Sequence, residues 1–291
     1  MAHSFFVRKI AAICREIWAQ LPPTALDNRV IRDLGHLIHR LICKYNSRSQ
    51  TTSTYFLRNT PLIETVTEQV KNLHPDGTMR LAIIGCSTGA EVYSMVWMIR
   101  SVFPSLLFVP VAMDISASAV EKARAGYYRI GTSEFKKELP QEILQHIFDR
   151  DGDELKVKLW ISNGIRWLVA DAGDPDLLGL LGPQDILLAN NFLVHMKPPE
   201  AKRCLTNLLR LLRPGGLFVC RGVDLDVRES VLQSSNLEPV TTRIEEIHCA
   251  DAVIDVPSGW PWEYWGLEPL DKTRRDWTFR YAAIFRKPDA S

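Results

Sequence analysis

Apolar residues recur at three- and four-residue spacings over two early stretches. Phe5, Ile10, Ile13 and Ile17 predict a helix over 4–20, and Ile31, Leu34, Leu37, Ile38 and Leu41 a second over 29–45. Between them "LPPTALDN" supplies two prolines and an Asp/Asn pair as turn and cap. From residue 79 the period changes. Strands are predicted at 79–85, 108–114, 165–171, 185–190 and 217–222. Helices are predicted at 89–101, 116–126, 134–149 and 198–212, with Ser116 capping the second and Gly126 stopping it. Alternating strands and helices make an α/β fold with a mostly parallel, doubly wound sheet and helices on both faces. The tail is less regular. Four tryptophans fall between 260 and 277, either as core or as a lid over a pocket, and the alternation over 276–287 suits a terminal strand. The expected division is a small all-α N-terminal domain (1–50), a linker (51–78) and a Rossmann-like domain (79–291).

The first strand runs into "GCSTG" at 85–89. In open α/β sheets, ligands bind beyond the carboxyl ends of strands. A dinucleotide fingerprint needs G-x-G-x-x-G, whereas this loop is G-x-x-x-G. A phosphate loop ends in Gly-Lys-Ser/Thr, whereas this one runs on into Ala90 and Glu91. An acid at a helix start repels an anion and suits a cation, such as the amino group or sulfonium of S-adenosylmethionine. Asp114 ends the second strand, where a carboxylate can accept from two ribose hydroxyls. Asp171 ends the third, within reach of an adenine. Singly, each has a plain reading: Gly85 and Gly89 as packing glycines, Asp114 as a helix cap. In register at successive strand ends they form the arrangement of a class I methyltransferase. "RLLRPGGLFVC" (210–220) adds the sharp turn that precedes the fifth strand in that fold.

Charge and cysteine content narrow the partners. The chain has 291 residues, 46% of them hydrophobic, and a formal net charge of +1, so no global field draws it to nucleic acid or membrane. Residues 1–58 are different, with nine Lys/Arg against Glu16, Asp27 and Asp33. That excess is either a solvated helical surface or a docking surface for an acidic partner. The six cysteines form no CxxC pair, which favours a reducing, cytoplasmic compartment without disulfides. The charged N-terminal stretch is neither signal peptide nor membrane span, so no membrane insertion is expected. His36 and His39 lie three apart with no third ligand nearby, and no metal is expected.

Three segments carry a resemblance to the chemotaxis receptor methyltransferase (CheR) family: "GCSTGAEVYSM", "AMDISASAVEKARAGYY" and "STYFLRN". Order and spacing hold over roughly residues 30 to 222. The resemblance implies S-adenosylmethionine as cofactor, held by Thr54, Arg58, Glu91, Asp114, Asp171 and Asn191. Arg58 would reach the methionine carboxylate. Gly85, Cys86, Ser87, Gly89, Ala172 and Asn190 complete the expected cofactor-binding set. The sequence also departs from the family. Ala90 replaces a Glu, Asn190 an Arg, and His195 a Tyr beside the transferred methyl. The tail after Gly222 has no match, and no insertion is visible for the small β-subdomain that docks the receptor tail in some members. These departures favour O-methylation of a small-molecule carboxylate or hydroxyl, with His195 as catalytic base for a hydroxyl. The alternatives are a protein-glutamate O-methyltransferase of chemotaxis-receptor type, whose Glu-rich acceptor would suit the basic N-terminal helices, and a non-catalytic cofactor-binding module.

Overall fold

The computed structural model describes residues 2–45, 48, 52–73, 77–136, 138–250 and 266–289. Helices α1 (Ala2–Ala19) and α2 (Arg29–Tyr45) form an antiparallel N-terminal pair, followed by α3 (Thr60–Val70). Then come β1 (Met79–Ile84), α4 (Ala90–Val102), β2 (Phe108–Asp114), α5 (Ala117–Ala125), β3 (Tyr127–Arg129), α6 (Gln141–Ile147), β4 (Phe148–Asp151), β5 (Glu154–Val157), α7 (Leu159–Ser162) and β6 (Arg166–Val169). The rest is α8 (Leu177–Leu181), β7 (Gln184–Asn190), α9 (Pro198–Leu209), β8 (Leu212–Arg221), α10 (Leu225–Ser234), β9 (Glu238–Pro239), α11 (Ile244–Cys249), α12 (Trp277–Tyr281) and β10 (Ile284–Arg286).

The main sheet has the order β6-β2-β1-β7-β8-β10-β9. Its first five strands are parallel, and β10 runs antiparallel between β8 and β9. This is the class I methyltransferase arrangement expected from the sequence. The chain steps outward from β1 through β2 to β6, then returns to the other side of β1 as β7. That reversal opens a crevice at the carboxyl ends. The register makes those ends level: Ile84 pairs with Met113 on one side and Ala189 on the other, and Asp114 pairs with Val169. The loops after β1, β2, β6 and β7 therefore emerge along one edge.

The two-residue period of the strands divides the core. Leu81, Ile83, Ile186, Leu188, Leu217 and Val219 face one cluster, which includes Val92, Tyr93 and Val96 of α4. Ala82, Ile84, Leu187, Ala189, Phe218 and Cys220 face the other, which includes Ala201, Cys204, Leu205 and Leu208 of α9. Every residue of β7 is buried, as a central parallel strand covered on both faces requires.

Two expectations are corrected. The helix expected over 134–149 is only α6. The chain leaves it as β4, turns at Gly152 (φ +57°) and returns as β5, which also pairs with β3. Asp-Gly at a hairpin tip favours this path over continued helix. The resulting three-stranded antiparallel sheet is a small β-subdomain where none was expected. The strand expected over 276–287 is α12 followed by the shorter β10. Arg280 of α12 reaches Glu268, and that buried pairing is served by a helical turn. Trp277 packs against the second cluster, while Trp260, Trp262 and Trp265 lie outside the described residues. Among the described residues no helix is long and apolar enough to cross a membrane.

Candidate functional site

The level strand ends bring the predicted residues together. Thr54, Arg58, Gly85, Ser87, Glu91, Asp114, Asp171, Ala172, Asn190, Asn191 and His195 all line one cavity over β1, β2 and β7. Cys86 and Gly89 do not. Cys86 is buried below the loop, where burial, and after it the Asp114 charge, push its thiol well above the usual range. Such a thiol is inert packing. Gly89 caps α4 with φ +91°, and a Cβ there would stand 2.8 Å from the Ala123 methyl. It is the glycine that lets α5 approach the loop.

Four amides of the loop are satisfied within the protein, three of them by β2. Gly85 and Cys86 N–H both donate to the Met113 carbonyl, at 2.8 and 2.9 Å, and Gly89 N–H donates to the Cys86 carbonyl at 3.0 Å. Ser87 takes a left-handed backbone (φ +49°), and its N–H donates to Asp114 Oδ2 at 2.8 Å. These four donors are spent within the protein, so the loop is not a phosphate nest. That is the physical content of the missing G-x-G-x-x-G.

Asp114 also accepts from Ser116 N–H at 2.9 Å through Oδ1. Each carboxylate oxygen accepts once and keeps capacity for a further donor. Asn190, buried at the end of β7, donates to Glu91 Oε1 at 2.7 Å and accepts from Arg221 N–H at 3.1 Å. Asn191 turns into the left-handed region (φ +61°) and carries the chain toward the 3-10 turn Leu193–His195. Arg58 reaches the cavity from the segment before α3, its guanidinium 5.5 Å from the Tyr55 ring centroid. Asp171 is exposed and accepts from Gly173 N–H at 2.8 Å. The lining thus carries three carboxylates against one guanidinium, with Met113, Ile115 and Phe192 as apolar walls. That donor set fits a cationic nucleoside and opposes a polyphosphate.

The loop is braced from behind. Thr88 Oγ1 donates to Glu134 Oε1 at 2.9 Å, Lys122 pairs with the same carboxylate, and Tyr128 O–H donates to the Thr88 carbonyl at 2.6 Å. Burial pushes Glu134 up, but hydrogen bonds from Lys122, Thr132 and Thr88 prevail and hold it at about 2.

A larger cleft, of about 1080 Å³, adjoins the cavity between α2 and the α9–α10 side. His195 lines both. Arg48 ties their border together, donating to the Met196 carbonyl and approaching Asp224 at 4.0 Å. Sequence reasoning missed Arg48, Thr52 and Phe192. Thr52, whose carbonyl accepts from Ser87 Oγ at 2.7 Å, directly precedes the "STYFLRN" segment, and Phe192 lies two residues past the end of β7. Those positions were the available signals. Arg48 had none beyond its charge.

The family described as "CheR methyltransferase, SAM binding domain" matches residues 52–237. The probable biofilm formation methyltransferase WspC of Pseudomonas aeruginosa is 26% identical over 192 residues, covering 64% of this chain and 44% of that protein. Chemotaxis protein methyltransferase 2 of Vibrio cholerae is 24% identical over 173 residues, covering 57% of this chain and 59% of that protein. The match thus spans about half the length of these relatives. Among solved structures, magnesium protoporphyrin IX methyltransferase (ChlM) from Synechocystis PCC 6803 with bound SAM is 14% identical at a TM-score of 0.38, covering 62% of this chain and 69% of that one. The enzyme class and cofactor expected from the glycine loop are those of the matching family. The chain belongs to the CheR methyltransferase family and carries its S-adenosylmethionine-binding domain.

Proposed function

We infer that this chain methylates a carboxylate of a protein acceptor, as a protein-glutamate O-methyltransferase of chemotaxis-receptor type. The observation that carries this reading is His195 at the border of two cavities. One has the lining of a cationic nucleoside site. The other is a wide cleft of mixed charge, with Arg40, Lys44, Arg48 and Lys197 in its lining alongside the carboxylates of Asp33, Glu200, Asp224, Asp226, Glu229 and Glu268. A cleft of this volume admits a segment of a protein, and a glutamate on that segment would meet the cations of Arg48 and Lys197 on the way to His195. The small three-stranded sheet removes one of the grounds for a small-molecule acceptor, and the names of the relatives point the same way. Six cysteines with no disulfide among them suit the cytoplasmic compartment this reading needs.

In this reading Asp114 holds the ribose hydroxyls, Glu91 the amino group and Arg58 the carboxylate of the cofactor's methionine portion. Asp171 and Ala172 flank the adenine, and Thr54, Ser87 and Asn191 close the cavity. S-adenosylmethionine, when bound, supplies a methyl already activated by its sulfonium. The chain's own task is to bring a carboxylate oxygen in line and exclude water. A carboxylate is ionised at neutral pH, so His195 shapes the passage and takes no proton.

The test is transfer of tritiated methyl from S-adenosylmethionine into a receptor-containing membrane fraction and into a small-molecule extract. Alkali-labile label on protein is the expected result. Label confined to the small-molecule extract overturns the reading. Melting scans with S-adenosylmethionine, its demethylated product and NAD check the cofactor separately, with stabilisation by the first two alone.

A further inference from the structure

The N-terminal helix pair has a second face that the cleft does not use. Arg40 and Lys44 of α2 face the cleft, and Val7, Ala11 and Trp18 of α1 pack with Ile42 of α2 in a small core of their own. A third direction remains. On α1, Phe6, Ile10, Ile13 and Ile17 follow one stripe, with Phe6 66% exposed and Ile17 57%. On α2, Leu34, Leu37 and Leu41 do the same, each about half exposed. The stripes share a side, because Phe6 and Ile10 line one apolar groove together with Leu41 and Tyr45. The stripes run from Phe6 to Ile17 and from Leu34 to Tyr45, an apolar plate roughly 17 Å long. A contiguous plate of that size marks an interaction surface.

The rim of the plate names the partner. Lys9 Nζ stands 4.8 Å from the Phe5 ring centroid, so an ammonium group borders the apolar side chains of α1. Arg8, Arg15 and Arg29 are exposed on the same two helices, against Glu16 and Asp33. Apolar side chains bordered by cations are the pattern of a helix lying in a membrane interface, with the stems of Lys and Arg reaching to the headgroups. A second copy of the chain suits the plate less well, since a two-fold contact repeats the same cationic rim on both sides.

We propose that the α1–α2 face docks peripherally on an anionic lipid bilayer. The apolar stripes enter the headgroup boundary, the rim cations meet anionic headgroups, and no segment spans the membrane. The cleft-facing side of α2 then points away from the lipid, so docking leaves the entrance beside His195 open. The proposal rests on this face alone and holds whatever the methyl acceptor is.

The test is co-sedimentation of the full chain with phosphatidylcholine vesicles, with and without about 30% phosphatidylglycerol, at low and high salt. Retention by the anionic vesicles, falling with salt and with removal of phosphatidylglycerol, is expected. Ile13→Asp with Ile17→Asp weakens it by about tenfold or more, while the melting shift given by S-adenosylmethionine stays as in the wild type. Should that pair lower the melting temperature, Lys9→Glu with Arg15→Glu keeps the apolar plate and should also abolish retention. No preference for anionic vesicles by the folded wild type overturns the proposal. So does a dimer in sedimentation velocity that Ile13→Asp converts to monomer, which would assign the face to a second copy.

Discussion

Asn190 donates its side-chain amide to Glu91 Oε1 at 2.7 Å, joining the end of the central strand β7 to the first turn of α4. The same side chain accepts from Arg221 N–H on β8. An Arg at this position would set a cation beside Glu91, whereas Asn orients the carboxylate without neutralising its charge. Asn190→Leu should therefore act twice. Leaving the buried Arg221 amide unpaired costs about 1–3 kcal/mol and lowers the melting temperature by several degrees. Loss of the orienting bond weakens S-adenosylmethionine as well, and calorimetry on the folded variant reads that effect. An unchanged cofactor Kd would make Asn190 a strand clamp only.

Asp114 holds Ser87 in its left-handed conformation and is the proposed ribose acceptor. Hydrogen bonds to a charged group are worth roughly 1.5–3 kcal/mol, so Asp114→Ala should raise the cofactor Kd at least about tenfold. Asp114→Asn keeps one acceptor oxygen and should fall between the alanine variant and the wild type. If the alanine variant melts lower but binds the cofactor unchanged, Asp114 serves the loop alone.

Gly89→Ala meets two penalties. The left-handed backbone costs an L-residue about 1–2 kcal/mol, and the new methyl stands 2.8 Å from the Ala123 methyl. Overpacking of this kind costs roughly 1–3 kcal/mol. Chemical denaturation should show the loss even without ligand. Gly152→Ala, whose new methyl would meet open space, should cost only the backbone part.

His248 is buried, with Nε2 2.8 Å from the Glu268 carbonyl. Burial, and after it the Arg221 charge, lower its pKa to about 4. The unfolded chain takes up a proton near pH 6.5, whereas the fold resists until about 4. Stability present above 6.5 is therefore lost as the pH falls through that window, by roughly 3 kcal/mol. Glu268 adds a lower window. Burial raises it, but the Arg280 hydrogen bonds and charge outweigh burial and hold it at about 2, so its contribution disappears between about 4.5 and 2. Urea midpoints between pH 7 and 4 should decline for the wild type and stay nearly level for His248→Gln, if that variant folds.

His195 separates the acceptor classes. With a glutamate acceptor, His195→Ala should keep kcat within about tenfold, and the wild-type rate should be level across about pH 6 to 8. With a hydroxyl acceptor the variant should lose roughly 10²–10⁴-fold. Pre-steady-state methyl transfer across that pH range distinguishes the two.

Much of the candidate cavity was legible because its signals are local. Gly85 and Gly89 bound a turn, Glu91 starts a helix and Asp114 ends a strand, and each is marked by its immediate neighbours. The parallel strands then brought them together, since their register sets the strand ends level. The small sheet was less visible. Its strands are three and four residues long, too short for the two-residue period to stand out, and α6 made the segment look helical. Gly152 was the overlooked mark.

By itself the sequence determined the order of the five parallel strands, the apolar faces of α1, α2 and those strands, and the residue types at the strand ends. Those follow from side-chain periodicity and backbone preference, which act over a few residues. Only the tertiary structure decided that Asn190 holds Glu91, that His195 stands between two cavities and that Arg48 binds the turn beside it. Each joins positions from 99 to 148 residues apart, or rests on walls drawn from α2, β7 and α10 at once. Such contacts depend on how the layers stack, and no local pattern in the chain encodes that.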